Sequence, residues 1–278
     1  MKTAKQTQPR ERDSAEAHFS TYARPLADAA IEHAEALAAN PDADVIHKLR
    51  VALRRLRSLL WAYRPLLGRE LDDRQRDRFK SLAGAAGKTR DWDILTELLV
   101  EILGARQAPT ERLRAARATA LDDSRETLSH AGIHAVLQDA LADASGALRH
   151  QAHERTPLKK FARKRVAAAE KSLNKRMRQA AHAKRSNYAS YHDVRKAGKK
   201  VRYLLEFFEP LLTSKQLKTL KGLKKLQKRF GTLNDVVASE ELLRGNGDIF
   251  SNDREVKAAF TALEKQRKRR VHAASKLL

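Results

Sequence analysis

Two histidines each head a run of cations, and the two runs match. His47-Lys-Leu-Arg50-Val-Ala-Leu-Arg54-Arg55-Leu-Arg57 aligns with His192-Asp-Val-Arg195-Lys-Ala-Gly-Lys199-Lys200-Val-Arg202, 145 residues further on. Arginine grips phosphate or carboxylate bidentately, whereas lysine acts as a mobile point charge. A neutral histidine donates one hydrogen bond and a protonated one two. These residue types suit the holding of an anion with repeated oxygens. They lack a paired acid and base or an activated nucleophile, so they do not suit bond cleavage.

The spacing shows what must position them. At about 100° per residue, Ile46, Leu49, Leu53, Leu56 and Leu60 fall on one helix face. His47, Arg50, Arg54 and Arg57 fall opposite, with Arg55 at the flank. Val51, Ser58 and Trp61 share the basic side. In the second copy Val194, Val201, Leu205 and Phe208 face a core. His192, Arg195, Lys199 and Arg202 form the stripe, with Lys196 and Lys200 beside it. One cation per turn, about every 5.4 Å, suits a linear phosphate chain. A lone basic stripe reads equally well as a solvated helix face, and the duplication argues for a site. Like charges this close repel. With no acid interleaved on the first stripe, a bound anion is the expected compensation. Each histidine also opens its helix, where free N–H groups favour anions.

The match continues to Pro65-Leu66-Leu67 and Pro210-Leu211-Leu212. A second echo joins Gly87-Lys88-Thr89-Arg90-Asp91 to Gly231-Thr232-Leu233-Asn234-Asp235, 144 residues apart. Two homologous halves are therefore expected. A polar tail occupies 1–13, a first helical bundle about 14–150 and a second about 151–278. Val, Ile and Thr are sparse and Ala, Leu, Arg, Lys and Glu abundant, so helix is expected throughout. The predicted helices span about 14–39, stopping at Asn40-Pro41, then 43–63, ending before Pro65, then 70–86, and one from near Asp91 to Gly104. The rest span 110–129, 133–154, 157–184, 188–209, 214–230, 233–243 and 253 to the C-terminus. Gly198 lies toward the core side of its helix, and close helix packing would explain it.

Composition bounds the partners. The chain has 278 residues, with 57 Lys and Arg against 34 Asp and Glu, a formal charge of +23. Such a body attracts nucleic acid, anionic membrane or phosphate polymer. The 42% hydrophobic content at helical spacing favours a packed core over disorder. The absence of cysteine excludes disulfides and thiolate chemistry. No stretch reads as a signal peptide or membrane span, so a cytoplasmic protein is expected by default.

The repeat resembles the CHAD domain, the conserved histidine α-helical domain. His47, Arg50, Arg54, Arg55 and Arg57 carry the likeness, with His192, Arg195, Lys199, Lys200, Arg202 and Tyr203. Arg90-Asp91, Gln227, Gly231 and Asn234-Asp235 match the second recurring segments. The resemblance implies an all-α fold with two pseudo-two-fold-related helical bundles in one domain and a basic central groove or cavity. It also implies binding of inorganic polyphosphate, often at polyphosphate granules. Some members are fused to a triphosphate tunnel domain similar to a CYTH enzyme and carrying Glu-x-Glu-x-Lys. That motif does not occur here, so the chain resembles a stand-alone, non-enzymatic CHAD protein. The expected polyphosphate site is His47, Arg50, Arg54, Arg55, Arg57, His192, Arg195, Lys196, Lys199, Lys200 and Arg202. No cofactor or metal is expected, and the histidines should tighten binding as pH falls through about 6.5.

Other chemistry reads poorly. His192-Asp193 suggests a metal phosphohydrolase, but Asp193 lies among Arg195, Lys196, Lys199 and Lys200, a hostile field for a cation. His130 and His134 have i, i+4 spacing, but Gly132 between them marks a helix end. His150 and His153 are no better. Asp72-Asp73 and Asp122-Asp123 read as surface salt bridging. No phosphate-binding Gly-rich loop with its Lys-Ser/Thr is present. Nucleic acid remains the alternative partner, bound more weakly, since basic helices suit it too. Sequence-tolerant single-strand binders interleave aromatics for stacking. Aromatics are 5% here, with Trp61 and Tyr203 near the ends of the stripes. Anionic membrane fits less well, because the faces opposite the charges suit a core.

Overall fold

The computed structural model describes residues 13–39, 42–150 and 155–278. The polar tail up to Arg12, the Asn40-Pro41 stop, His153 and Glu154 lie outside the described residues. Ten α-helices account for most of the rest: α1 (Ala15–Ala39), α2 (Ala43–Leu67), α3 (Arg69–Ala85), α4 (Lys88–Leu103), α5 (Thr110–His130), α6 (Ile133–His150), α7 (Leu158–His182), α8 (Tyr188–Phe207), α9 (Ser214–Arg244) and α10 (Asp253–Ser275). No strand occurs among the described residues. One isolated bridge joins Ser14 to Pro157. The all-helical class is the one the composition predicts.

Local chemistry sets several helix starts. The Asp42 carboxylate accepts from the Asp44 N–H at 3.1 Å and caps α2. Asn187 caps α8 through the Ser190 N–H. Thr213 and Gln216 form a reciprocal capping box on α9. Gly132, at φ 54°, separates α5 from α6, so His130 and His134 sit on different helices.

Two expected breaks are absent. α2 does not end before Pro65 but runs through it to Leu67. Proline there removes the N–H that would bond to the Trp61 carbonyl. Arg165 of α7 supplies the replacement, donating from Nη2 to that oxygen at 2.9 Å. Likewise 214–230 and 233–243 are not two helices but the single 31-residue α9. One glycine costs a helix only about 1 kcal/mol, and Gly231 sits in open space among good helix formers. In the first half the equivalent segment does break, at Ala86-Gly87. There Gly84 and Gly87 lie within one turn, and the Gly87 N–H bonds to the Gly84 carbonyl at 2.9 Å.

The helices share two hydrophobic cores. The larger draws mainly on α1, α2, α3, α6, α7, α8 and the first half of α9. The smaller joins Trp92, Leu95 and Leu99 of α4 and Leu113 of α5 to Val236 and Leu243 of α9 and Ala259 and Leu263 of α10. Each core therefore takes helices from both halves of the sequence. The packing sets α2 against α8 and α4 against α9, which juxtaposes the two copies of each repeated segment.

Candidate anion-binding groove

The apolar faces of the repeat helices are buried as their spacing predicts. Ile46, Leu49, Leu53, Leu56 and Leu60 of α2, Val194, Val201 and Leu205 of α8, and Phe208 at the C-cap of α8 are all at most 2% exposed. Burying these rows turns the opposite faces of α2 and α8 toward a common cleft of about 410 Å³. Arg50, Arg54 and Arg57 line it from α2, and His192, Arg195, Lys196, Lys199 and Lys200 from α8. Ser58, Trp61 and Tyr203 line it too, as do Lys80, Ala83 and Gly84 of α3. The lining contains eight Lys or Arg side chains, one histidine and no carboxylate.

Three of the expected site residues lie elsewhere. His47 lines a neighbouring cleft with Asp42, Asp44, Arg90 and Asp93. Arg55 and Arg202 converge on Glu206. Arg202 Nε donates to Glu206 Oε1 at 2.6 Å, and Arg55 pairs with Oε2 at 3.3 Å. Arg202 also donates to Gln227 Oε1 at 3.0 Å. Periodicity places Arg202 on the stripe, but an acid one turn on, Glu206, turns its head away. Lys80 is absent from the expected site, because α3 carries no basic stripe like those of α2 and α8. Its one hint is its position a single turn before the Gly84–Gly87 corner that meets α2.

The stripes are partly compensated by acids from other helices. Arg50 approaches Asp91 at 3.8 Å. Asp235 lies near Arg195 and Lys199, and Asp91 feels the charge of Asp235. Burial pushes both carboxyls up, against the pull of the guanidinium groups around them. The second repeated segment thus provides the counter-charge for the first. Gly87 suits the corner beside Arg50, since a β-carbon there would lie 3.0 Å from the Gly84 carbonyl oxygen, tighter than an ordinary contact.

Compensation fails further along the stripes. Burial, with Arg195, Arg54 and Arg50 close by, pushes the Lys199 ammonium down to about 6. Burial also depresses Arg50 and Arg195. Both histidines are depressed, chiefly by burial. His47 is further opposed by Arg90. At the equivalent position the second half has Asn234, whose Oδ1 lies 2.5 Å from His192 Nδ1. That contact leaves the Nε2 edge of His192 for the cleft.

The aromatic rings are already engaged. Arg165 sits 4.3 Å and Lys200 4.0 Å from the Trp61 ring centroid. Tyr203 is 6% exposed, with Arg55 and Arg202 within about 6 Å of its ring centre.

A duplicated basic helix, its duplicated acid segment and the groove they build fit one family, and the family model for the CHAD domain matches residues 21–244. The chain belongs to the CHAD domain family. No curated protein sequence matches it. The crystal structure of the CHAD domain from the plant Ricinus communis is similar over all of this chain and 96% of that one, at 25% identity and a TM-score of 0.75. PptA from Streptomyces chartreusis shares the fold over 95% of this chain and 96% of its own, at 16% identity and a TM-score of 0.66. Among the described residues of this CHAD chain, no helix is long and apolar enough to cross a membrane.

Proposed function

We propose that this CHAD protein binds inorganic polyphosphate in the groove between α2 and α8, without catalysing a reaction on it. The observation that carries the reading is the lining itself: eight Lys or Arg side chains from three helices and no carboxylate. Arg50, Arg54 and Arg57 on one side, and Arg195, Lys196, Lys199 and Lys200 on the other, offer charge along both flanks of a chain. His192 Nδ1–H is committed to Asn234 Oδ1, so its Nε2 adds a hydrogen-bond donor to the cleft when the ring is protonated. Arg55, Arg202 and His47 lie outside the cleft and contribute through the general field. In this reading the protein acts inside the cell and collects at polyphosphate granules.

A bare phosphate chain suits the groove better than nucleic acid does. A stacking base would compete with Arg165 and Lys200 for the Trp61 ring, and Tyr203 is buried. A phosphate polymer requires no free ring.

A competition titration at about 150 mM salt tests the proposal, since polyanion affinities measured at low salt discriminate poorly. Labelled long-chain polyphosphate is displaced by unlabelled polyphosphate, duplex DNA or single-stranded RNA at equal phosphate concentration. Polyphosphate is expected to win by tenfold or more. Reversal of Arg54 and Lys199 together to Glu is expected to abolish binding and leave the helical circular dichroism intact. Equal competition by nucleic acid, or undiminished binding by the double variant, would overturn the reading.

A further inference from the structure

The positive charge is concentrated in one part of the chain. Positions 158–234 hold 23 Lys and Arg against 4 Asp and Glu, so they supply +19 of the total +23. They form α7, α8 and the first two-thirds of α9. The α8 share is largely spent on the groove, and the α9 share is not. Lys215, Lys218, Lys221, Lys224, Lys225 and Lys228 are all exposed, and no acid occurs between positions 210 and 234. None of the six forms an ion pair among the described residues. An ordinary solvated helix interleaves acids, because unrelieved like charges at i, i+3 and i+4 destabilise it.

The internal repeat relates this face to the groove. The register that pairs Gly87 with Gly231 and Asp91 with Asp235 also pairs Lys80 with Lys224 and Gly84 with Lys228. Lys80 and Gly84 line the groove along α3. The two equivalent helix stretches differ sharply in charge. Residues 69–85 carry five basic and four acidic side chains, whereas 214–230 carry seven basic and none acidic. On the α3 side Arg64 and Asp73 approach to 3.6 Å.

Contacts hold α9 alongside α8 over the length of the stripe. Asn234 meets His192 at one end, and Gln227 meets Gly198 and Arg202 at the other. Lys224 and Lys228 lie eleven and seven positions before Asp235 and share its helix face. Asp235 is the acid nearest in electrostatic terms to Arg195 and Lys199. The lysine row therefore leads away from the groove along one side only.

We propose that the Lys221, Lys224 and Lys228 face of α9 is a second binding track, for the part of a long inorganic phosphate polymer that emerges from the groove. The inference rests on the polyphosphate reading above. Lysine suits the role, because hydrated point charges on flexible stems hold a mobile chain without demanding one geometry. Short polyphosphates fill the groove alone, so the track acts as a chain-length selector.

The test compares tripolyphosphate with long-chain polyphosphate over a salt series. It uses the full-length wild type, a Lys221→Glu, Lys224→Glu, Lys228→Glu variant, and a charge-matched control with Lys257→Glu, Lys265→Glu, Arg269→Glu on α10. Circular dichroism checks that each is folded. The α9 variant is expected to lose tenfold or more in long-chain affinity, to lower the slope of log K against log salt by about 2, and to bind tripolyphosphate within about twofold of wild type. Undiminished long-chain binding overturns the track. So does equal loss for both polymers, or equal loss in the α10 control, since either would show only a general charge effect. Failure of the wild type to bind either polymer would instead sink the groove reading on which the track depends.

Discussion

Arg165 Nη2 donates to the Trp61 carbonyl oxygen at 2.9 Å, the oxygen that Pro65 deprives of its helical partner. One guanidinium thus closes a backbone vacancy in α2 and sits over the indole of the residue it repairs. Removing it leaves a half-buried carbonyl unsatisfied. Arg165→Leu is expected to destabilise the fold by about 2 kcal/mol, the usual cost of losing a charge-assisted hydrogen bond. In a Pro65→Ala background, where an N–H again faces Trp61, the same substitution is expected to cost about 1 kcal/mol less. Urea unfolding of the four proteins checks the cycle, and an unchanged cost in both backgrounds would remove Arg165 from this role.

Gly198 is needed for packing. A β-carbon there would lie 2.8 Å from Leu226 Cδ2, and Leu226 is buried where α9 crosses α8. Overpacking a core costs about 1–3 kcal/mol, and alanine returns at most about 1 kcal/mol of helix propensity. Gly198→Ala is therefore expected to be net destabilising by about 1 kcal/mol. With Leu226→Ala already present, the same change is expected to become stabilising. Thermal unfolding of the two pairs measures the change of sign.

Lys199 gives the groove a pH response. At pH 7 the free protein holds it largely neutral, since its ammonium is pushed down to about 6. A phosphate chain favours the charged form, so binding takes up a proton. The Lys199 contribution to affinity is expected to rise as pH falls from about 8 toward 6 and to level off below. Calorimetric binding enthalpy at pH 7.5 is expected to vary with buffer ionisation enthalpy, and in Lys199→Met to stop doing so. The histidines titrate below their ordinary value, which moves their contribution to lower pH than the expected 6.5.

The same residue shapes stability. Its folded value lies below its unfolded value, so between about 6 and 10.5 the unfolded chain binds more protons. The Lys199 contribution to stability therefore increases as pH rises through that window. Lys199→Met, which removes an ill-compensated charge, is expected to raise Tm at pH 6 by about 2–4 °C. A pH series of melting curves for both proteins tests the sign.

Glu206 divides the cations of the repeat. It holds Arg55 and Arg202 away from the cleft. Arg55→Ala and Arg202→Ala are expected to weaken polyphosphate binding by less than about threefold each, and Arg54→Ala by tenfold or more. Glu206→Gln is expected to tighten binding by freeing both guanidiniums while lowering stability by about 1–3 kcal/mol. Direct titrations and unfolding curves of the four variants separate the two effects.

Much of this molecule is legible in the chain. Residue composition selects helix, and the apolar spacing of 46–60 and 194–208 selects which faces are buried. The duplication places the two basic stripes in equivalent settings. These are local or periodic properties, and backbone geometry converts them directly into position. The tight packing at Gly198 was legible for the same reason.

Other features depend on contacts between residues far apart in sequence. Pro65 reads as a helix stop because its missing N–H is a local fact, whereas the guanidinium that compensates for it comes from a helix 100 residues away. Gly231 reads as a break like Gly87, and only the surrounding packing lets α9 continue. The wheel places Arg202 on the stripe, but Glu206 and Gln227 decide where its head goes. No periodicity reveals that Asp91 and Asp235 share the field of the same arginines, or that Lys199 lies where three cations crowd it. Sequence determines which side of a helix a charge occupies. Its neighbours, its degree of burial and hence its proton affinity are set by how the helices pack.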